Sequence, residues 1–383
     1  MDAFIICNRG LETVCSDDIS LLIGDKKIIL FEGACVVEDV STDDLAVLAY
    51  RLQSAFHIGV LLAGESDFEG LKNKFLLDEL DLSSWKNFVS ENSSFAVNTI
   101  KIVKHDIPSP DLSASFGETI LEFSKKQNLN LKVNLSKPEV SFMVFITDSF
   151  CGIGVDIIGF DLSRRPYKLF NHSSALNGVF AHSISRFAGI DKNSVILDPF
   201  CNNGTIPIEI ALFQNEKSPF VFERRFLGLN YSFTKDSFEK IEESLKKNNE
   251  SSKNIFGYDE QLKIILSAKK NAKIAGVLDN ITFSKVSVDW LDTKFEEQTL
   301  DFIISNPPRD SKRLNNPKKI AKMFDELFYQ SRFILKKNGL LVLLVFKTEE
   351  VISLGHKHGF VLKESKIVFS GQQENSLLIF SRQ

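Results

Sequence analysis

At 383 residues, 43% hydrophobic and 25% charged, the chain has the composition of an ordinary globular protein of two or three domains. Its longest apolar run near the C-terminus, Leu340 to Phe346, is far too short to cross a bilayer, so no membrane association is expected. The net charge of −4 does not favour a nucleic-acid binder; it divides into −9 over residues 1–170 (16 Lys+Arg, 25 Asp+Glu) and +5 over residues 171–383 (30 and 25), so any such binding rests on local basic patches.

The N-terminus, MDAFIICNRG, has an acid at position 2 and no long apolar run, so no signal peptide is expected and the location is expected to be cytoplasmic. Phe4–Cys7 reads as a strand, and Asp17 and Asp18 open a short segment. Ile28–Phe31 and Ala34–Val37 read as two further strands, and Ser41-Thr42-Asp43-Asp44 caps an amphipathic helix carrying Leu45, Leu48, Ala49 and Leu52. This β-α-β-β-α order over residues 1–50 indicates a small α+β ferredoxin-like unit. Beyond it lie strands at Ser94–Ile100, Leu131–Leu135, Ser141–Thr147 and Cys151–Ile157, with a helix at Leu112–Lys126. The block closes on Asp161-Leu162-Ser163-Arg164-Arg165-Pro166-Tyr167, and His172–Ile190 reads as a linking helix. The five cysteines, Cys7, Cys15, Cys35, Cys151 and Cys201, are odd in number, scattered and without a C-x-x-C pair, which argues for buried reduced thiols and for no metal site.

From Ser194 onward strands alternate with helices, the pattern of an α/β domain on a parallel sheet. The strands are Val195–Leu197, Ile255–Tyr258, Ile281–Phe283, Phe302–Ser305, Leu340–Phe346, Phe360–Leu362 and Leu377–Phe380, the last two a candidate antiparallel hairpin. The stretch Phe213–Lys253, with Phe220, Phe222 and Phe226, is long for one connection and is expected to cover an edge of this sheet. A G-x-G-x-x-G dinucleotide fingerprint is absent.

Two stretches carry the chemistry. Ser194–Ile208, SVILDPFCNNGTIPI, is a strand ending in Asp198, a tight loop and a helix start, an arrangement that places a site at the carboxyl end of the strand. Asp198 suits an ammonium group or sugar hydroxyls, and Gly204 lets backbone approach a ligand closely. About a hundred residues on, DFIISNPPR is a second strand ending in Asn306-Pro307-Pro308. Two prolines fix two φ angles and force the preceding residue extended, giving a rigid bracket rich in acceptors and suited to an amino group.

DPFCNNGTIPIEIAL resembles the first motif of S-adenosylmethionine-dependent RNA methyltransferases, usually D-P-F/M-C-G-S-G-T, and SNPPR resembles their fourth, N/D-P-P-Y/F. Upstream, NRGLE, RLQSAFHIGVLL, SFAV, VNLSKPEV and DLSRRPYK resemble, in the same order, the N-terminal half of the THUMP-domain members of that family, so the likeness spans nearly the whole chain. It implies a ferredoxin-like domain at residues 1–50, a THUMP RNA-binding domain at 51–168, a linker helix at 169–190 and a Rossmann-like seven-stranded methyltransferase domain at 191–383.

The resemblance further implies methyl transfer from S-adenosylmethionine to the N2 amine of a guanosine in the tRNA acceptor stem, as in the archaeal-type enzymes, with the THUMP module gripping the 3′ CCA end, and a monomeric protein. The alternatives are a large-subunit rRNA guanine-N2 methyltransferase and a non-catalytic RNA-binding protein that kept the fold. Asn306, Pro307, Pro308 and Arg309 would form the catalytic bracket. Asp198, Phe200, Cys201, Asn202, Asn203, Gly204 and Thr205 would hold the methionine end of the cofactor, with Leu176 and Asn177 lining it. Asp259, with Glu260 beside it, either accepts from both ribose hydroxyls, a carboxylate having two oxygens for them, or caps the next helix. Asp289 would accept from the adenine amine with Trp290 beside the ring. Arg164, Arg165 and Lys168, and the run Lys312, Arg313, Lys318, Lys319 and Lys322, are candidate RNA phosphate contacts. Two departures stand out: Arg309 replaces the family's aromatic, and Asn202-Asn203 replace Gly-Ser, Asn being the residue that best tolerates left-handed angles after glycine.

Overall fold

Short apolar strands alternating with amphipathic helices resolve into two sheets, each at the centre of its own compact unit. The structure, a computed structural model, describes residues 1–76, 85–171, 175–221, 223–245, 253–309, 317–371 and 373–383. One unit comprises Met1–Leu162 with Phe220–Lys247, the other Ser163–Pro219 with Asn248–Gln383.

In the first unit the strands β1 (Ala3–Cys7), β2 (Ile28–Phe31), β3 (Ala34–Val37), β4 (Ala55–Glu65), β5 (Ser94–Lys101), β6 (Lys132–Val133), β7 (Val140–Ile146) and β8 (Cys151–Asp156) form an eight-stranded sheet, order β2-β3-β1-β4-β8-β7-β5-β6. Helices α1 (Glu12–Ile23), α2 (Thr42–Arg51), α3 (Phe68–Leu76) and α4 (Ser109–Lys126) accompany it. The N-terminal β-α-β-β-α order is as expected, but β4 pairs with both β1 and β8, so the sheet runs on past residue 50 without a break. Ser41 and Asp44 make the reciprocal capping box of α2. The segment opened by Asp17 and Asp18 belongs to the longer helix α1, where Asp18 is buried.

The connection after Phe213, expected to cover an edge of the second sheet, belongs for most of its length to the first unit. From Phe220 to Lys247 it packs within the first unit, where Phe226 meets Tyr50 at 4.8 Å, Phe238 meets the same ring at 5.9 Å, and Ser237 bonds Thr42 at 2.9 Å. Its aromatics are core, as their fully buried rings require. Phe222 lies outside the described residues. β1, α1 and β3 also bring Cys7, Cys15 and Cys35 together, their sulfurs within 4.8 Å of one another in the buried core.

The second unit holds β9 (Ile196–Asp198), β10 (Ile255–Asp259), β11 (Ile281–Lys285), β12 (Leu300–Ser305), β13 (Leu335–Val345), β14 (Phe360–Ser370) and β15 (Gln373–Arg382), in the order β11-β10-β9-β12-β13-β15-β14. The first five are parallel to one another, and β14 and β15 form the expected antiparallel hairpin, with β15 antiparallel to β13. The helices are α5 (Gly178–Phe187), α6 (Thr205–Gln214), α7 (Leu262–Ile274), α8 (Pro317–Ile334) and α9 (Thr348–Lys357). α8 buries Phe324, Leu327, Phe328, Ser331 and Ile334, an i, i+3, i+4 stripe that seats it on the sheet. Order reverses between β9 and β12, which places a crevice beyond their carboxyl ends. No helix among the described residues is long and apolar enough to cross a membrane.

Arg165, expected to meet RNA phosphate, is instead interior. Its side chain and that of Glu209 are fully buried, Nε donates to Oε1 at 2.8 Å, Nη2 to Oε2 at 3.0 Å, and the Tyr167 hydroxyl donates to Oε1 at 2.7 Å. Gly178 opens α5 against this pair: a Cβ there would lie 2.5 Å from Arg165 and 2.6 Å from Glu209. Lys168 donates to the Leu176 carbonyl, and burial lowers its pKa to about 8. Only Arg164 of the three cations is exposed. Replacing Glu209 by Ala strips a dry guanidinium of its carboxylate, so Glu209→Ala is expected to lose about 3–5 kcal/mol of stability. Urea unfolding of variant and parent measures this, and an unchanged midpoint would show that the pair contributes nothing.

Candidate functional site

The site is built on the tips of β9 and β12. Asp198 ends β9 and is 2% exposed. Its Oδ1 accepts from the Ser305 hydroxyl at 2.5 Å and from the Phe200 amide at 3.1 Å. Burial pushes its pKa up to about 7, against the opposing pull of those two donors, and the nearby Asp259 adds to the rise.

The loop after Asp198 is held by its own bonds. The Cys201 amide donates to the Tyr258 carbonyl at 2.8 Å, and the Gly204 amide to the Cys201 carbonyl at 2.8 Å. Asn202 takes φ of 51° and its side chain accepts from the Asn203 amide, so the expected left-handed Asn is realised here. Gly204 also has positive φ, 86°, but its missing Cβ makes room for protein, not for a ligand: that atom would lie 3.1 Å from Ala268 and 3.2 Å from Phe283. Asn203 is buried, bonding Thr205 at 3.0 Å and the Phe170 carbonyl at 3.3 Å.

Asn306 follows β12 and shares a small hollow, about 20 Å³, with Asp198, Phe200, Leu176 and the 201–203 loop. Phe200 also lines a larger crevice of about 390 Å³, which carries Asp259, Glu260, Ser287, Asp289 and Pro308. Asp259 accepts from the Gln261 amide at 2.9 Å and Asp289 from the Ser287 hydroxyl at 2.8 Å. A third hollow, about 840 Å³, lies beyond the bracket and is lined by Pro307, Pro308, Arg309, Phe346 and Gln373, among others.

Most sequence-singled residues therefore converge. Trp290 does not: it is 61% exposed and lines none of these hollows. Asn177 caps α5, its side chain accepting from the Phe180 amide at 2.8 Å. Lys319 and Lys322, expected beside RNA backbone, line the 390 Å³ crevice, whereas Lys318 is simply exposed. Lys312 and Arg313 lie outside the described residues.

Sequence reasoning missed Ser305, although it sits one residue before Asn306, and it missed Asn271. The latter is fully buried on α7, accepting from the Phe170 amide at 3.0 Å and donating to the carbonyls of Phe170 at 3.1 Å and Asn203 at 3.0 Å. One amide thereby ties the loop to the segment leading into α5. Its signal was an asparagine inside the apolar stripe Ile265, Ala268, Ala272.

Comparison with known proteins agrees with this geometry. A model of the RMKL-like methyltransferase domain matches residues 165–375, more than half of the chain, and a THUMP domain model matches residues 81–156. The tRNA (guanine(6)-N2)-methyltransferase of Methanocaldococcus jannaschii is 27% identical over 376 residues, 97% of each chain, and that of Archaeoglobus fulgidus is 26% identical over 76% of this chain and 70% of its own. The crystal structure of a possible methylase from Clostridium difficile 630 has the same fold, with a TM-score of 0.81 at 21% identity over 100% of this chain and 98% of that one. The chain belongs to the RMKL-like methyltransferase domain family. Specifically, it joins a THUMP domain to an S-adenosylmethionine-dependent methyltransferase domain.

The raised pKa of Asp198 has a stability consequence. Between its ordinary value of 3.8 and about 7 the native protein holds a proton that the unfolded chain has released, so stability falls as pH rises through that window. Asp198→Asn removes the effect. The variant is expected to match the parent below about pH 4 and to exceed it by on the order of 4 kcal/mol above about pH 7. Thermal midpoints of both proteins across that range test this, and a pH-independent difference would refute it.

Proposed function

We propose that the protein transfers a methyl group from S-adenosylmethionine to the N2 amine of a guanosine in the acceptor stem of tRNA. The observation that carries the reading is that Asp198 and Asn306, from adjacent strand tips, line one hollow that Phe200 shares with the 390 Å³ crevice carrying Asp259 and Asp289. The donor set fits the cofactor. Asp198 suits the ammonium of the methionine end, Asp259 offers two oxygens to the ribose hydroxyls, and Asp289 offers an acceptor to the adenine amine. When bound, S-adenosylmethionine supplies a methyl on a positive sulfonium.

The bracket residues do the rest. The Asn306 side-chain oxygen and a proline carbonyl accept the N–H bonds of the guanine amine, holding its nitrogen in line for attack. Such a transfer needs alignment more than a strong base, and alignment of this kind is worth several orders of magnitude in rate. Pro307 and Pro308 keep the bracket from relaxing. The substrate assignment draws on the two relatives, whose names specify guanine 6 of tRNA and one of which matches along 97% of its length. The THUMP domain accounts for RNA capture, with the 3′ CCA end as its target. The protein acts as a monomer, and Arg164 and Lys318 are its candidate phosphate contacts.

Mass spectrometry of nucleosides from tRNA incubated with protein and labelled S-adenosylmethionine is expected to show labelled N2-methylguanosine, at position 6 first. tRNA lacking its CCA end is expected to be a poor substrate. Asn306→Ala is expected to lower kcat by at least about a hundredfold with cofactor affinity near the parent's. Full activity in that variant removes Asn306 from the mechanism, and equal activity on tRNA without CCA removes the end-capture reading.

A further inference from the structure

Beyond the bracket, three strand ends meet. Arg309 follows β12, Phe346 directly follows β13, and Asn375 lies on β15, opposite the end of β13. The Arg309 guanidinium stacks 3.9 Å from the centre of the Phe346 ring. Its Nη2 donates to two side-chain amides, to Asn306 Oδ1 at 3.3 Å and to Asn375 Oδ1 at 3.1 Å. Asn375 is 3% exposed, and its own Nδ2 donates to the Gln373 carbonyl at 2.9 Å.

Each of these bonds settles an orientation that the covalent structure leaves open. The terminal torsion of an Asn is broad and nearly two-fold, so its oxygen and nitrogen exchange places readily. A guanidinium only donates. Arg309 therefore holds the Asn306 oxygen, not its NH2, at the shared position, since the flipped amide would face donor to donor. Asn375 is fixed in turn, because the Gln373 carbonyl only accepts. With both Nη2 hydrogens committed and one face on Phe346, the Arg309 terminus is set in position and plane. Asn306 Oδ1 keeps a second lone pair for a substrate N–H.

We infer that Asn375 and Phe346 are positioning residues for methyl transfer, acting through Arg309 to keep the Asn306 side-chain oxygen presented to the amine. This rests on the reading of Asn306 given above and extends it to two side chains some 40 and 69 positions away in sequence. Burial lowers the Arg309 pKa, but a guanidinium is not deprotonated in proteins, so the donor persists.

The test compares the full-length parent with Asn375→Leu, Asn375→Asp, Phe346→Leu and Phe346→Tyr, reading kcat and KM for tRNA methylation, equilibrium S-adenosylmethionine binding and thermal midpoint. Asn375→Leu removes the acceptor and is expected to lower kcat about ten- to a hundredfold, with cofactor affinity within about twofold of the parent. Asn375→Asp keeps an acceptor for Arg309 but loses the bond to the Gln373 carbonyl, and is expected to recover part of the kcat lost in Asn375→Leu. Phe346→Leu is expected to lower kcat and Phe346→Tyr to recover it. Asn375→Leu or Phe346→Leu at parental kcat overturns the assignment, as does an equal loss in Asn375→Leu and Asn375→Asp, which would mark a packing role. A parent that methylates no tRNA guanosine is a separate result: it overturns the functional reading and this inference with it.

Discussion

The short hydrogen bond from Ser305 to Asp198 joins the ends of the two strands on which the catalytic unit depends. β9 and β12 are parallel neighbours at the point where strand order reverses, so their loops leave in opposite directions and open a crevice between them. The loop after Asp198 and the bracket at Asn306 are thereby brought to one hollow. The bond has a second effect. It supplies a donor to a carboxylate buried away from water, and it lowers a pKa that burial alone would push still higher.

That carboxylate dominates the local energetics. A dry acid close to Asp259 is poorly placed for stability, and nothing in the packing of the strands asks for it. The Ser305 hydroxyl and the Phe200 amide offset part of its desolvation, and a positive charge beside it would offset more. Elsewhere in the same unit the opposite solution appears. Arg165 and Glu209, also fully buried, compensate each other and receive the Tyr167 hydroxyl, so the segment leading into α5 is anchored without any ligand. Asn271 completes that anchoring from α7, binding the same segment and the 201–203 loop with one amide.

The replacement of an aromatic residue by Arg309 acquires a physical reading in this setting. An aromatic after the bracket offers a face to a base but no bond to Asn306. Arg309 brings its own aromatic partner in Phe346 and adds a directed bond to the Asn306 oxygen. The departure from the family pattern thus replaces one side chain by a cluster drawn from the ends of three strands.

Much of this was legible along the chain. The parallel strands announced themselves as apolar runs, the hairpin at the C-terminus by its two close strands, and α2 by Ser41 and Asp44. The two chemical stretches were legible because each is local: a strand, its tip and the next few residues lie together in sequence as they do in space. The rest required long-range contacts that spacing does not record. Arg165 reads as half of a basic turn until Glu209, 44 positions on, is found against it. Gly204 reads as a ligand's clearance until Ala268 and Phe283 fill it. Cys7, Cys15 and Cys35 read as scattered until β1, α1 and β3 close on one another. The sequence by itself determined which strand tips carry the chemistry, because those residues must be neighbours along the chain to ride on one loop. Only the tertiary structure decided which charged and amide side chains are spent inside the fold and which face the crevice, because that is set by pairing across strands distant in sequence.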